Sequence, residues 1–206
     1  MIKEHFGSRL DGVIHTLFPF LFKRSINPDL LTVTGALVSL LAAVAFAAGH
    51  YRLGGCVLLA GGFFDLVDGV VARHFGISTT FGGFLDSTLD RFVDVVVLLG
   101  IVIHLSSVGQ LGHALLAALV LTSSVLTSYA KARAELHVPQ LEGGIFERGE
   151  RIGLLAAGAI LNWMVPVLWL LAAGTTLTAI QRVVAAHREM TILDAAAVAG
   201  AGEEVS

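Results

Sequence analysis

The chain has 206 residues, of which 55% are hydrophobic and 14% charged, with a mean hydropathy of +0.82; an ordinary soluble domain carries about 25% charged residues. That balance excludes a soluble globular protein and predicts an all-α integral membrane chain, whereas the net charge of -3 excludes little, because in a bilayer the placement of charge matters more than its sum. The single Cys56 excludes a disulfide or zinc framework and is read as a small packing hydrophobe.

Residues 1–26 mix Lys3, Arg9, Lys23 and Arg24 with Phe6, Leu10, Val13, Ile14, Leu17 and Phe18 at three- and four-residue intervals, the pattern of an amphipathic helix lying on a membrane surface. Pro19 interrupts the Leu17 to Phe22 cluster, which makes a poor signal-peptide core, so this segment is expected to be retained. Asn27 followed by Pro28 is a helix start, an N-cap with proline at the first helical position. Hydrophobicity then predicts six spans, over residues 30–49, 53–73, 84–105, 111–132, 151–161 and 165–184. The fifth is too short for a hydrocarbon core that needs about 20 residues, so its helix is expected to begin upstream near Phe146.

The six spans make a membrane domain over residues 27–189, followed by an Ala/Gly-rich tail over 190–206 that is expected to fray. Lys and Arg accumulate before span one, after span two, between spans four and five and after span six, while the opposite loops hold only Arg52. By the positive-inside rule both termini face the cytoplasm of a multi-pass membrane protein. Gly54-Gly55, Gly61-Gly62 and the Gly153/Ala157 spacing suit close helix packing or a dimer face.

Four carboxylates interrupt this apolar chain: Asp65 and Asp68 in span two, Asp86 and Asp90 in span three. An ionisable side chain near mid-membrane costs at least ~2.5 kcal/mol, so a cluster of four calls for a function. Asp65 and Asp68 are three apart and Asp86 and Asp90 four apart, so each pair projects from one helix face. The short loop from His74 to Phe81 predicts that spans two and three are antiparallel neighbours whose acidic faces meet near the cytoplasmic ends. Carboxylates so gathered need protons or cations, and oxygen-only ligation favours two hard divalent ions, Mg2+ or Mn2+, an arrangement suited to phosphoryl chemistry.

Gly69 removes a side chain where a phosphate would approach backbone, and Arg73, five residues past Asp68 and about 7.5 Å from it along the axis, can balance phosphate charge or simply snorkel at the helix end. Asp94 continues the row beyond Asp90 and is read as a hydrogen-bonded structural group.

The string D-x2-D-G-x2-A-R-x8-G-x3-D-x3-D, carried by Asp65, Asp68, Gly69, Ala72, Arg73, Gly82, Asp86 and Asp90, resembles the complete signature of the CDP-alcohol phosphotransferases. The resemblance implies a six-span homodimeric membrane enzyme that displaces CMP from a CDP-linked lipid such as CDP-diacylglycerol. It further implies metal ligation by Asp65, Asp68, Asp86 and Asp90, proton abstraction by Asp90, and a CDP site lined by Gly69, Ala72, Arg73 and Gly82. The Asn27-Pro28-Asp29 turn with Thr32 is similar to the family's nucleotide-side segment, although capping alone would explain it. No nucleic-acid partner is expected.

A second cluster bears on the acceptor: Ser128, Lys131 and Arg133 at the end of span four, Arg148 and Arg151 before span five, and Arg182 in span six. Charge alone reads as positive-inside residues partnered by Glu135, Glu147 and Glu150, yet several arginines are also what an acceptor bearing its own phosphate requires. The S-Y-x-K-A-R-A-E and E-R-x-E-R strings and the late Q-R pair resemble the phosphatidylinositol-phosphate synthase branch and its archaeal counterpart. By that likeness Ser128, Lys131, Arg133, Arg148, Arg151 and Arg182 bind inositol phosphate. Glycerol 3-phosphate is the rival acceptor. A cation transporter is the remote alternative, and it would want polar groups through the midplane and an internal repeat, neither of which is present.

Overall fold

The computed structural model describes residues 27–138, 141 and 144–203, all of whose regular structure is helical; the amphipathic helix expected over 1–26 lies outside them. Six helices follow in order: α1 Pro28–Ala47, α2 Tyr51–Phe75, α3 Thr80–Ser107, α4 Leu111–Ala134, α5 Arg148–Ile160 and α6 Met164–Glu203. α1 starts as the sequence dictates, with the Asn27 side chain accepting from Asp29 N at 2.9 Å and proline in the first turn. α2 stops at Gly76, whose φ of +62° closes the helix in the left-handed conformation that glycine adopts without strain. Thr79 opens α3 by accepting from Gly82 N at 2.9 Å.

Among the described residues four helices are long and apolar enough to cross a bilayer: α1, α2, α4 and the part of α6 from Met164 to Ala195. The remaining two depart from that pattern for different reasons. α3 has the length but carries Asp86, Asp90, Arg91 and Asp94, whereas α5 has only 13 residues, a rise of about 20 Å. It begins at Arg148, two residues past the expected Phe146 start. α6 runs without a break through residue 190 to Glu203, where a fraying tail was expected.

Over most of α1 side-chain size is inverted relative to a soluble bundle. Leu30, Leu37, Leu41 and Val44 of α1 are exposed, while Gly35, Ala36, Ser39, Ala42 and Ala43 are buried. Large apolar groups outside and small ones inside suit helices solvated by lipid, where backbones approach closely and dispersion does the work of association. At Gly61 a Cβ would collide with Ser39 Oγ, and at Gly55 it would lie 2.8 Å from the Ala156 carbonyl oxygen of α5. These glycines serve packing inside the chain; Gly153 has open space around it. Cys56, expected to pack, is exposed on α2 instead.

The packing order corrects one expectation. α2 and α3 do not lie against each other along their length: α1 packs on both, α3 continues onto α4, α4 onto α6, and α5 bridges α2 and α6. A loop of four residues, 76–79, joins α2 to α3, so the two helices converge only at that end. There the acidic faces meet as expected.

Candidate active site

Convergence at the loop end brings one ligand oxygen each of Asp65, Asp68 and Asp86 within 4.8 Å of one another. Asp68 is buried and held from α1, accepting the Thr32 hydroxyl at Oδ2 over 2.5 Å, while that hydroxyl also lies 3.0 Å from the Pro28 carbonyl oxygen. The proline start of α1 therefore positions a side chain that fixes a carboxylate of α2. Thr32 does more than continue a capped helix.

Asp90 lies outside that group of three but next to it, within electrostatic reach of Asp65 and Asp86. Its Oδ1 is 3.0 Å from Arg148 Nη2, and Nη1 of the same guanidinium donates to Asp65 Oδ2 at 2.9 Å. Arg148 thus forks across two of the four signature carboxylates, although the sequence assigned it to the acceptor side. Asp94 is buried and accepts from Arg151 Nη2 at 2.7 Å, the hydrogen-bonded role expected of it. The chemistry of the donor set fits divalent cations: only carboxylates converge, with no thiol or imidazole in the group, as hard ions such as Mg2+ and Mn2+ require.

Beside the carboxylates opens a cleft of about 190 Å³, lined by Pro28, Asp29 and Thr32 of α1, Asp68, Gly69, Ala72 and Arg73 of α2, and residues from Ile77 to Asp86. It gathers Pro28, Thr32, Asp68, Gly69, Ala72, Arg73 and Gly82, which the sequence had placed on the nucleotide side. Asn27 caps α1 at its rim and Asp65 belongs to the adjoining carboxylate group. A Cβ on Gly82 would lie 2.9 Å from Asp29 Oδ1 and 3.0 Å from Thr79 Oγ1, and one on Gly69 would lie 3.2 Å from Arg73 Nη1. The glycines keep the cleft open and leave room for the Arg73 guanidinium. Sequence reasoning passed over Ser78 and Thr79; the Thr79 cap three residues before Gly82 was the signal that could have found the second.

The basic cluster divides. Arg151 and Arg182 are buried, with Arg182 Nη1 donating to the Thr127 carbonyl at 2.7 Å and lying within electrostatic reach of Arg151, Glu147 and Glu135. Gly144, at a φ of +114°, lets the α4–α5 loop pass Arg182: a Cβ there would lie 3.2 Å from its Nε. Phe146 N then donates to Thr178 Oγ1 at 3.1 Å and anchors the loop on α6. Ser128 is half-buried next to Thr127, and Lys131 is half-buried with Glu135 Oε1 at 3.7 Å. Arg133 does not join them. It lies about 200° round the helix from Lys131, is exposed, and lines an apolar groove between α4 and α6 with Tyr129, Ile180 and Val183.

Comparison with known proteins agrees with this geometry. The profile of the CDP-alcohol phosphatidyltransferase family matches residues 25–187. The chain is 39% identical over 166 residues to archaetidylinositol phosphate synthase of Pyrococcus horikoshii, covering 80% of this chain and 86% of that one. It is 34% identical over 215 residues to phosphatidylinositol phosphate synthase of Streptomyces avermitilis, covering 97% and 88%. The crystal structure of Mycobacterium tuberculosis phosphatidylinositol phosphate synthase with CDP-DAG bound is similar at a TM-score of 0.76 and 29% identity, covering 84% of this chain and 93% of that one. The same enzyme in complex with manganese and citrate gives 0.73 and 30%, covering 82% and 86%. With the signature carboxylates gathered beside a glycine-lined cleft and the profile matching most of the chain, this multi-pass membrane protein is a transferase that belongs to the CDP-alcohol phosphatidyltransferase family.

Proposed function

We propose that the protein transfers a phosphatidyl group from CDP-diacylglycerol to a phosphorylated polyol, inositol phosphate, giving phosphatidylinositol phosphate and CMP. The observation that carries the reading is the juxtaposition of two unlike sites. Three carboxylates converge beside the cleft, and two buried guanidinium groups, Arg151 and Arg182, lie within electrostatic reach of each other. Arg151 is already paired with Asp94 and Arg182 lies near Glu147 and Glu135, and guanidinium groups fixed in this way are preorganised to donate charge-assisted hydrogen bonds to an acceptor phosphate.

In this reading Asp65, Asp68, Asp86 and Asp90 hold two divalent ions, Mg2+ or Mn2+. When bound, such ions spread the charge that develops on the pyrophosphate and stabilise CMP as leaving group. Asn27, Pro28, Thr32, Gly69, Ala72, Arg73 and Gly82 seat the nucleotide end of the lipid, with Arg73 balancing phosphate charge. Ser128, Lys131, Arg148, Arg151 and Arg182 orient the acceptor. Asp90 takes the proton from the attacking hydroxyl, whose oxygen forms the new P–O bond as the pyrophosphate bond to CMP breaks. Exclusion of bulk water falls to the surrounding helices.

The full membrane topology belongs to the same proposal: six spans, including the charged α3 and the short α5, behind an interfacial N-terminal helix. The carboxylates and both termini face the cytoplasm, where a water-soluble acceptor meets the lipid pyrophosphate, and the protein works as a homodimer. Asp90→Asn tests the chemistry. It is expected to abolish CMP release while CDP-diacylglycerol still binds, and full turnover in that variant would remove Asp90 from its role as base.

A further inference from the structure

Arg148 lies between two sets of carboxylates. On one side its Nη1 and Nη2 are 2.9 and 3.0 Å from Asp65 Oδ2 and Asp90 Oδ1. On the other, its Nε faces Asp94 Oδ1 across 3.7 Å, beyond hydrogen-bond length. Neither of these last two atoms has a hydrogen-bond partner, both are buried, and Asp94 as a residue is 8% exposed. An unsatisfied buried donor facing an unsatisfied buried acceptor is an interaction left open that a small movement would close. Asp94 cannot wander to meet it, because its other oxygen is tied to Arg151 at 2.7 Å. Arg148 is the partner that moves.

The guanidinium also engages carboxylates of the cation site, Asp65 of the converging group and Asp90 beside it. Asp65 Oδ2 and Asp90 Oδ1 each have the guanidinium within hydrogen-bond reach, so a divalent ion drawing on the same carboxylates meets a positive charge already in place.

We propose, resting on the cation site set out above, that Arg148 has two positions, one across Asp65 and Asp90 and one closed on Asp94, and that a divalent cation and the first position compete. Cation binding drives Arg148 onto Asp94, beside Arg151, where its charge joins the acceptor cluster. Asp94 is then a positioning residue: it acts on cation affinity through Arg148 and touches neither ion nor substrate. Linkage makes the effect reciprocal, so whatever weakens the Asp94 position weakens cation binding.

The test is a Mn2+ titration followed by electron paramagnetic resonance on the purified full chain in lipid nanodiscs, with no substrate present. Arg148→Gln removes the competitor and is expected to tighten Mn2+ binding about tenfold, within the usual range for coupled sites. Asp94→Asn removes the charged alternative position and is expected to weaken it by a similar factor. In the double variant the Asp94→Asn effect shrinks to the small direct field of one carboxylate a helix turn from Asp90, because the route through Arg148 is gone. A Mn2+ affinity that is unchanged or weaker in Arg148→Gln overturns the inference, as does an Asp94→Asn penalty that persists at full size in the double variant, which marks a merely structural carboxylate. Should Asp94→Asn fail to fold, Arg148→Gln decides alone. A wild-type chain that binds no Mn2+ removes the cation site itself and this inference with it, whereas wild-type binding with an indifferent Arg148 removes the inference only.

Discussion

Thr32 on the second turn of α1 donates its hydroxyl hydrogen to Asp68 Oδ2 on α2 across 2.5 Å, in a buried contact between residues 36 apart in the chain. One turn upstream, Asn27 and Pro28 start the helix, so the local start signal and the site carboxylate are joined by a single side chain. The contact predicts that Thr32→Val, nearly the same in shape, leaves a buried carboxylate oxygen without its donor. The expected cost is ~1–3 kcal/mol of stability, read from a thermal melt in detergent. CDP-diacylglycerol affinity is expected to fall with it, while the acceptor KM stays near wild type. A wild-type melt and wild-type lipid affinity would show that Thr32 only continues the helix.

Packing of α1 on α2 depends on the absence of a side chain at Gly61, where a Cβ would meet Ser39 Oγ. Gly61→Val is expected to destabilise the membrane domain by at least ~1–3 kcal/mol, the cost of overpacking, and to lower the yield of folded protein. Gly153→Ala is the control, since nothing lies within 4 Å of that position, and Ala is the better helix former. Equal melting of the two variants would contradict the tight α1–α2 seam.

The basic residues are expected to separate in kinetics as they do in space. Arg151→Ala and Arg182→Ala each remove a buried guanidinium and are expected to raise the acceptor KM by roughly 10- to 100-fold, the usual scale for a charge-assisted contact, with a smaller change in the CDP-diacylglycerol KM. Arg133→Ala is expected to change the acceptor KM less than about threefold, as for exposed charges generally, because Arg133 is exposed on the other side of α4. Equal effects on both substrates, or an Arg133 effect as large as that of Arg182, would contradict this partition of the site.

Much of the site was legible because its chemistry is local. Asp65 with Asp68 and Asp86 with Asp90 share helix faces by spacing alone, and Asn27-Pro28 announces the start of α1. What periodicity does not carry is the order in which helices pack. A short loop makes α2 and α3 look like neighbours, yet α1 lies against both, because Gly35, Gly61 and Gly100 let its backbone approach them more closely than they approach each other. The same limit hid Arg148. In sequence it is one of two arginines in an E-R-x-E-R string, and only the approach of α5 to α2 brings it onto Asp65 and Asp90. Arg133 parts from Lys131 for the opposite reason: two positions away in sequence, it faces away from it on a helix.

The acceptor is the centre of the account, and one assay addresses it. The purified protein, reconstituted in CDP-diacylglycerol-containing vesicles with Mn2+, is supplied in parallel with radiolabelled inositol phosphate and with radiolabelled glycerol 3-phosphate, and label is followed into the lipid phase alongside CMP release. Inositol phosphate is expected to give labelled phosphatidylinositol phosphate and stoichiometric CMP. Incorporation of the glycerol ester alone would contradict that expectation.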